Sequence, residues 1–136
     1  MVNTYTLLLK VYYGRGSVPP GKVCTLYDFK IIGTDIHKIG ITSRTLNERY
    51  RTAFDRDQME VLLSIKCKTC TLAYELEQYL IKKYSKYRYK GTKIMTNGNT
   101  ELFTHDVMKI SKYGTSKVEG YLTAKADAIE ADRKAN

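Results

Sequence analysis

The sequence predicts an α+β fold: a small central, mostly antiparallel sheet flanked by helices, with a C-terminal helical extension. Three observations carry this. Apolar runs of strand length alternate with runs of helical period, in the order strand, strand, helix, strand, helix, strand, helix. The first two confident strands are joined by a short turn, which makes a hairpin. The length of 136 residues allows one domain with a real core but not two ordinary ones. Residues 1–21 read as an N-terminal strand and a Pro/Gly loop, 22–114 as the folded centre and 115–136 as a helical tail.

Each element has its own warrant. Residues 4–13 (TYTLLLKVYY) are rich in strand formers, and GRGSVPPG then excludes regular structure. KVCTLYDFKII is a strand with Tyr27, Phe29 and Ile31 on one parity and Cys24, Leu26 and Asp28 on the other. GTDI turns the chain and HKIGIT returns it. SRTLNERYRTAF reads as a helix capped by Ser43 or Thr45, the latter at capping-box spacing from Glu48. QMEVLLSIKCK alternates as a third strand. CTLAYELEQYLIKKYSKY is the clearest helix, with Leu72, Leu76, Tyr79, Leu80 and Tyr84 on one stripe and Gly91 expected to close the segment. ELF is a short strand, and Thr104 is placed to cap a brief helix over 105–112. The last stretch has only a weak stripe (Val118, Tyr121, Leu122, Ala126, Ile129) and reads as an exposed or fraying helix.

Charge narrows the function classes. The net charge is +9, and because residues 117–136 carry four basic and four acidic residues, the excess lies on residues 1–116. Such a domain attracts a polyanion through counterion release, which favours nucleic acid. No stretch approaches the length of a membrane span and MVNTYTLLLK is too short an apolar run for a signal peptide, so the expected location is the cytoplasm, with no membrane partner. Cys24, Cys67 and Cys70 are an odd set, better suited to free thiols than to a disulfide framework. Cys67 and Cys70 have the spacing of half a zinc site, which Cys24, His37 and His105 would have to complete from scattered places.

The hairpin holds the candidate chemistry. Across it, Lys38 can lie near Tyr27 on one face. Gly40 leaves the second strand bare where a sugar-phosphate backbone can approach. Arg49 lies nine positions further on, one turn into the expected helix. Together these make a phosphate site with a possible base. Downstream, Lys82, Lys83, Lys86, Arg88 and Lys90 interleave with Tyr84, Tyr87 and Tyr89, a pattern that suits nucleic acid but also a solvated helix end.

These residues resemble the GIY-YIG nuclease superfamily. Thr25-Leu26-Tyr27 stands where its first tripeptide would and Lys38-Ile39-Gly40 where the second would, with ten residues between them. Lysine in place of the second tyrosine, in Lys38-Ile39-Gly40-Ile41-Thr42-Ser43-Arg44, is similar to a phage-enriched branch that reads KIG-T-R. Arg49 matches the family's helix arginine and Glu101 its metal-binding glutamate. The histidine that many relatives carry one turn beyond the arginine is Ala53 here, and His37 is the residue placed to substitute. Glu75 and Glu77 are alternative carboxylates for the metal.

The resemblance implies a Mg²⁺-dependent (or Mn²⁺-dependent) endonuclease that hydrolyses phosphodiester bonds of double-stranded DNA, with one ion per site. A phenol ionises near pH 10, so bringing one to about 7 takes roughly 4 kcal/mol of preference for the phenolate. Lys38 and Arg49 would supply part of it. Tyr27 is then the general base, assisted by Lys38. Arg49 clamps the scissile phosphate and Glu101 holds the metal. Gly40, Arg44, Arg51 and the run Lys82, Lys83, Lys86, Arg88 and Lys90 contact the substrate. One site per chain suits a site-specific nick by a monomer, whereas a double-strand break asks for a homodimer or a second visit. The alternatives are an inactive basic DNA-binding module of the same fold and an RNA-binding protein.

Overall fold

Cys24–Ile31 forms β1, and it is buried on both faces along most of its length. That places it at the centre. The computed structural model describes residues 22–44, 50, 53–95 and 101–135. The expected strand over 4–13, Arg49, Arg51 and the capping pair Thr45 and Glu48 lie outside the described residues. β1 is flanked by β2 (His37–Thr42) and β3 (Met59–Cys67), and β2 carries β4 (Leu102–Phe103) on its far side. All pairs are antiparallel and the strand order is β3-β1-β2-β4. In the turn between β1 and β2, the Thr34 hydroxyl donates to the Ile31 carbonyl and accepts the Ile36 N–H. Gly33 takes the positive φ of 83° that the turn demands.

Register decides which side chains share a face. Tyr27 stands opposite Gly40 and Phe29 opposite Lys38, while Asp28 opposes Ile39 and Lys30 opposes His37. Odd residues of β1 and even residues of β2 therefore point to one side, and the others to the opposite side. β3 carries a bulge opposite Asp28 and Phe29, which inserts Leu62 as an extra residue. From there, Leu63, Ile65 and Cys67 regain the parity of Leu26 and Cys24.

Helices from the second half of the chain cover the Leu26 side. Helix α1 is Ala53–Asp57, α2 Cys70–Lys83, α3 Ile110–Tyr113 and α4 Thr115–Ala135. Thr69 caps α2 by accepting the Leu72 N–H at 3.1 Å, and Leu72, Leu76 and Leu80 repeat every turn toward β1 and β2. Val118, Leu122 and Ala126 of α4 join the same core, over α2 and β3. The other face carries a smaller cluster of Tyr27, Phe29, Ile31, Tyr50 and Met95. Among the described residues no helix is long and apolar enough to cross a membrane.

Four boundaries differ from the sequence expectation, each for a local reason. Ser43, Arg44 and Tyr50 are not helical, and at the start of that segment the Thr42 hydroxyl accepts the Arg44 N–H at 3.0 Å and bends the chain. Helix α2 ends at Lys83 rather than reaching Gly91. The chain passes through a 3-10 turn at Ser85–Tyr87 and then pairs with β4, Tyr89 N–H to Leu102 O at 2.8 Å and Thr104 N–H to Tyr87 O at 2.9 Å. The brief helix starts at Ile110 and is capped by Asp106, whose carboxylate accepts the Ile110 and Ser111 amides, instead of by Thr104. Finally, α4 is no fraying tail: three of its side chains complete the main core. Leu122→Ala should therefore destabilise the whole domain by about 2–5 kcal/mol in a denaturant titration, where a loose tail would show no change.

Candidate active site

β1 and β2 bring Tyr27, Lys38 and Gly40 to one face, as their register requires. Glu101, from the turn before β4, reaches the same face. Its Oε2 lies 2.6 Å from Lys38 Nζ, and the backbone carbonyl of Glu101 accepts the Ile39 N–H. The lysine side chain is 1 % exposed and the carboxylate 9 %. Burial pushes the Glu101 carboxyl up to about 7. The ammonium in contact works in the opposite direction, favouring the charged form. Breaking such a buried pair by removing one partner costs about 3–5 kcal/mol.

Tyr27 is 1 % exposed, and its hydroxyl meets that of Tyr50 at 2.7 Å. The Tyr27 ring lies across Gly40: a Cβ there would sit 2.5 Å from the Tyr27 oxygen and 2.7 Å from Cζ. The bare backbone at Gly40 is thus filled by the tyrosine itself. This corrects the expectation that the glycine opens the strand to substrate; its part is to seat Tyr27. Phe29 stacks beside Tyr27 and meets Tyr50 edge-on, fixing the ring from the other side. Tyr50 is the residue that sequence reasoning missed. The only signal was a tyrosine directly after Arg49.

His37 faces away from all of this. It sits on the helical side, with Nδ1 2.7 Å from Asp28 Oδ1, and so it does not take the place that Ala53 leaves vacant; its ring is committed to a buried carboxylate. Burial pushes Asp28 up to about 6, against the pull of the His37 bond and charge. Burial alone would lower the imidazole, but the bond to Asp28 and its charge outweigh that and hold His37 above 6.5. Asp28 Oδ2 is buried with no hydrogen-bond partner among the described residues, consistent with the upward push.

The other candidates are scattered. Glu75 and Glu77 lie on α2, across the sheet from Glu101, and Glu75 pairs with Arg133 of α4 at 3.5 Å. Neither can share a metal with Glu101. Arg44 is exposed just past β2. Lys82 and Lys83 end α2, Lys86 is on the 3-10 turn, and Arg88 bridges to Phe103 on β4; only these last turns bring the basic run toward the Lys38 edge of the sheet. Cys24, Cys67 and Cys70 are buried free thiols. Among the described residues no group of three or more His, Cys, Asp or Glu forms a metal cage. Burial pushes Cys67 up to about 11, which suits a protonated core thiol better than a zinc ligand. Glu101, whose side chain keeps 9 % exposure beside Lys38, is a lone carboxylate of the kind that suits Mg²⁺, which keeps several waters and takes further ligands from a phosphate.

An antiparallel sheet with helices packed on the Leu26 face, and a buried lysine–carboxylate pair beside seated tyrosines on the other, defines an α+β domain with one polar cluster on the Tyr27 face. The model of the T5orf172 domain matches residues 21–115, and the chain belongs to that family, a phage-associated domain related to nuclease-like folds. No curated protein and no solved structure matches the chain.

Two outcomes follow from the geometry. Gly40→Ala must push the Tyr27 ring aside and should cost about 1–3 kcal/mol in urea unfolding, a cost that disappears in a Tyr27→Ala background. The folded-state values of Asp28 and His37 both lie above the unfolded ones. Each therefore contributes stability at low pH that is lost as the pH rises, Asp28 from 3.8 through about 6 and His37 from 6.5 upward. Melting temperature should rise as pH falls from about 8 to 5, and Asp28→Asn, which also removes what holds the His37 proton, should flatten or reverse that rise.

Proposed function

We propose that the chain is a metal-dependent DNA endonuclease of the GIY-YIG type, cutting one strand per encounter. The observation that carries this reading is the Lys38–Glu101 contact on the same face as Tyr27. A phenol, an amine and a carboxylate separated widely in sequence meet beside one strand pair, in a domain whose family is related to nuclease-like folds.

Phosphodiester hydrolysis needs a water deprotonated as it attacks phosphorus, compensation for the charge on the phosphoryl oxygens, and help for the departing oxygen. Tyr27 as phenolate takes the water's proton. Tyr50, donating its hydroxyl hydrogen to the Tyr27 oxygen, favours that charged form. Lys38 places an ammonium on the same face, where it stabilises both the phenolate and the phosphate. Arg49 is assigned to the scissile phosphate by the motif alone. Glu101 would hold Mg²⁺, and the ion when bound would supply Lewis-acid stabilisation of the phosphate and leaving oxygens. Because Tyr27 is buried under Tyr50, substrate reaches it only when the Tyr50 hydroxyl is displaced or shared.

That same burial favours the second reading, a DNA-binding module without cleavage, in which Tyr27 and Tyr50 serve only to pack the face. Incubation of supercoiled plasmid with Mg²⁺ separates the two. The nuclease converts it to nicked circle, EDTA stops the conversion, and Tyr27→Phe and Glu101→Gln each lower the rate by about 100-fold or more while leaving DNA retention in a gel close to wild type. No nicking under any divalent ion, with normal retention, would establish the binding module.

A further inference from the structure

On the helical side of the sheet, away from Tyr27, the end of α2, the turn before α3 and the first turns of α4 enclose a cleft of about 440 Å³, within the ~300–1,000 Å³ typical of ligand pockets. Its rim carries three lysines, Lys83, Lys109 and Lys117, and three aromatic rings, Tyr84, Tyr113 and Tyr121, with no carboxylate in the lining. Lysines and rings are matched: Lys83 Nζ lies 5.1 Å from the Tyr121 ring and 5.5 Å from that of Tyr84, and Lys117 Nζ 5.2 Å from that of Tyr113. The rings of Tyr113 and Tyr121 are nevertheless open to solvent, the residues being 46 % and 45 % exposed.

Lys109 adds an independent sign. It is the one non-glycine residue at positive φ among the described residues, at φ 57° and ψ 43°. Glycine would sit there without strain. Strained backbone of this kind collects where a side chain is needed for something other than packing, and the Lys109 side chain lines this cleft.

We propose that the cleft binds an unpaired nucleotide of single-stranded nucleic acid, its base against the tyrosine rings and its phosphates at the lysines. In a duplex the base faces are hidden in the stack, so open rings would add little to backbone contacts; an unpaired base offers its face to them. A lining with three lysines and no carboxylate complements the phosphates. The chain leaving Lys83 and Tyr84 runs through Ser85–Tyr87 to β4, where Tyr89 pairs with Leu102 and Leu102 in turn with Lys38, so the cleft and the candidate active site are joined by one continuous basic segment. The proposal rests on the nucleic-acid half of the preceding reading and not on the cleavage chemistry.

Fluorescence anisotropy of the full chain with a short labelled oligothymidylate, and with a duplex hairpin of similar length at the same salt, tests it. Tyr113→Ala should weaken oligothymidylate binding about 5–100-fold while changing hairpin binding less than about 3-fold. Tyr113→Phe should bind like wild type, because the ring and not its hydroxyl makes the contact. Lys109→Gly, which relieves the backbone but removes the ammonium, should be thermally as stable as wild type or more so and still lose oligothymidylate affinity. Thymidine monophosphate should compete only at far higher concentration than the oligomer. Equal losses on both nucleic acids would reduce the cleft to a plain basic patch, unchanged binding by Tyr113→Ala would overturn it, and competition by the mononucleotide at the oligomer's concentration would make it a free-nucleotide site. A wild-type protein that binds neither nucleic acid sinks the nucleic-acid reading along with this one. Oligothymidylate binding without plasmid nicking sinks the enzyme and leaves the cleft.

Discussion

Lys38 and Glu101 are 63 residues apart, and their contact ties the short segment around β4 to β2. A two-residue strand such as β4 has too few ladder bonds to hold itself against β2. The buried ammonium supplies the missing constraint, because an unpaired charge at that depth is far more costly than an unpaired strand. Once Glu101 is fixed, Leu102 and Phe103 lie opposite Lys38 and His37. The segment around Tyr87 and Tyr89 then has an edge to pair with. The basic segment that follows α2 is thereby delivered to the β4 edge of the sheet. One ion pair thus helps fix both the polar cluster and the path of the chain after α2.

The β1–β2 register does the complementary work. One hairpin carries two polar pairs of opposite character, separated only by the pleat. Tyr27 and Lys38 face the small cluster around Tyr50, while Asp28 and His37 face the main core under the helices. A slip of one residue would exchange them, putting the lysine beneath α2 and the histidine beside Tyr50. Gly40 opposes such a slip: Tyr27 lies flat on it, and no other residue of β2 offers the ring that space. The glycine thus secures the register as well as seating the tyrosine.

Much of this was legible in the sequence. Period-two alternation and a Gly-containing turn identify the hairpin, and three leucines at helical spacing identify α2. The shared face of Tyr27, Lys38 and Glu101 was expected from the family resemblance and from the parity of the two strands. What was not legible depends on pairings between distant segments. Tyr50 follows Arg49 in a stretch that reads as plain helix, and only folding brings its hydroxyl to Tyr27. The end of α2 at Lys83 reflects competition from β4, an element whose signal is two apolar residues. The burial of α4 needs Val118, Leu122 and Ala126 to find a groove over α2 and β3, which a weak stripe does not announce. The lysine and tyrosine cleft is assembled from α2, α3 and α4, so no contiguous pattern encodes it.

All three sulfhydryl groups of the chain, Cys24 on β1, Cys67 on β3 and Cys70 at the start of α2, sit in the main core where those elements meet. An alkylating reagent in solution reaches none of them while sheet and helix stay together. Their modification rate is therefore a clock for the parting of α2 from the sheet, set by opening and closing of the core rather than by thiol chemistry. Without any label being introduced, the molecule carries its own gauge of how often its interior comes apart.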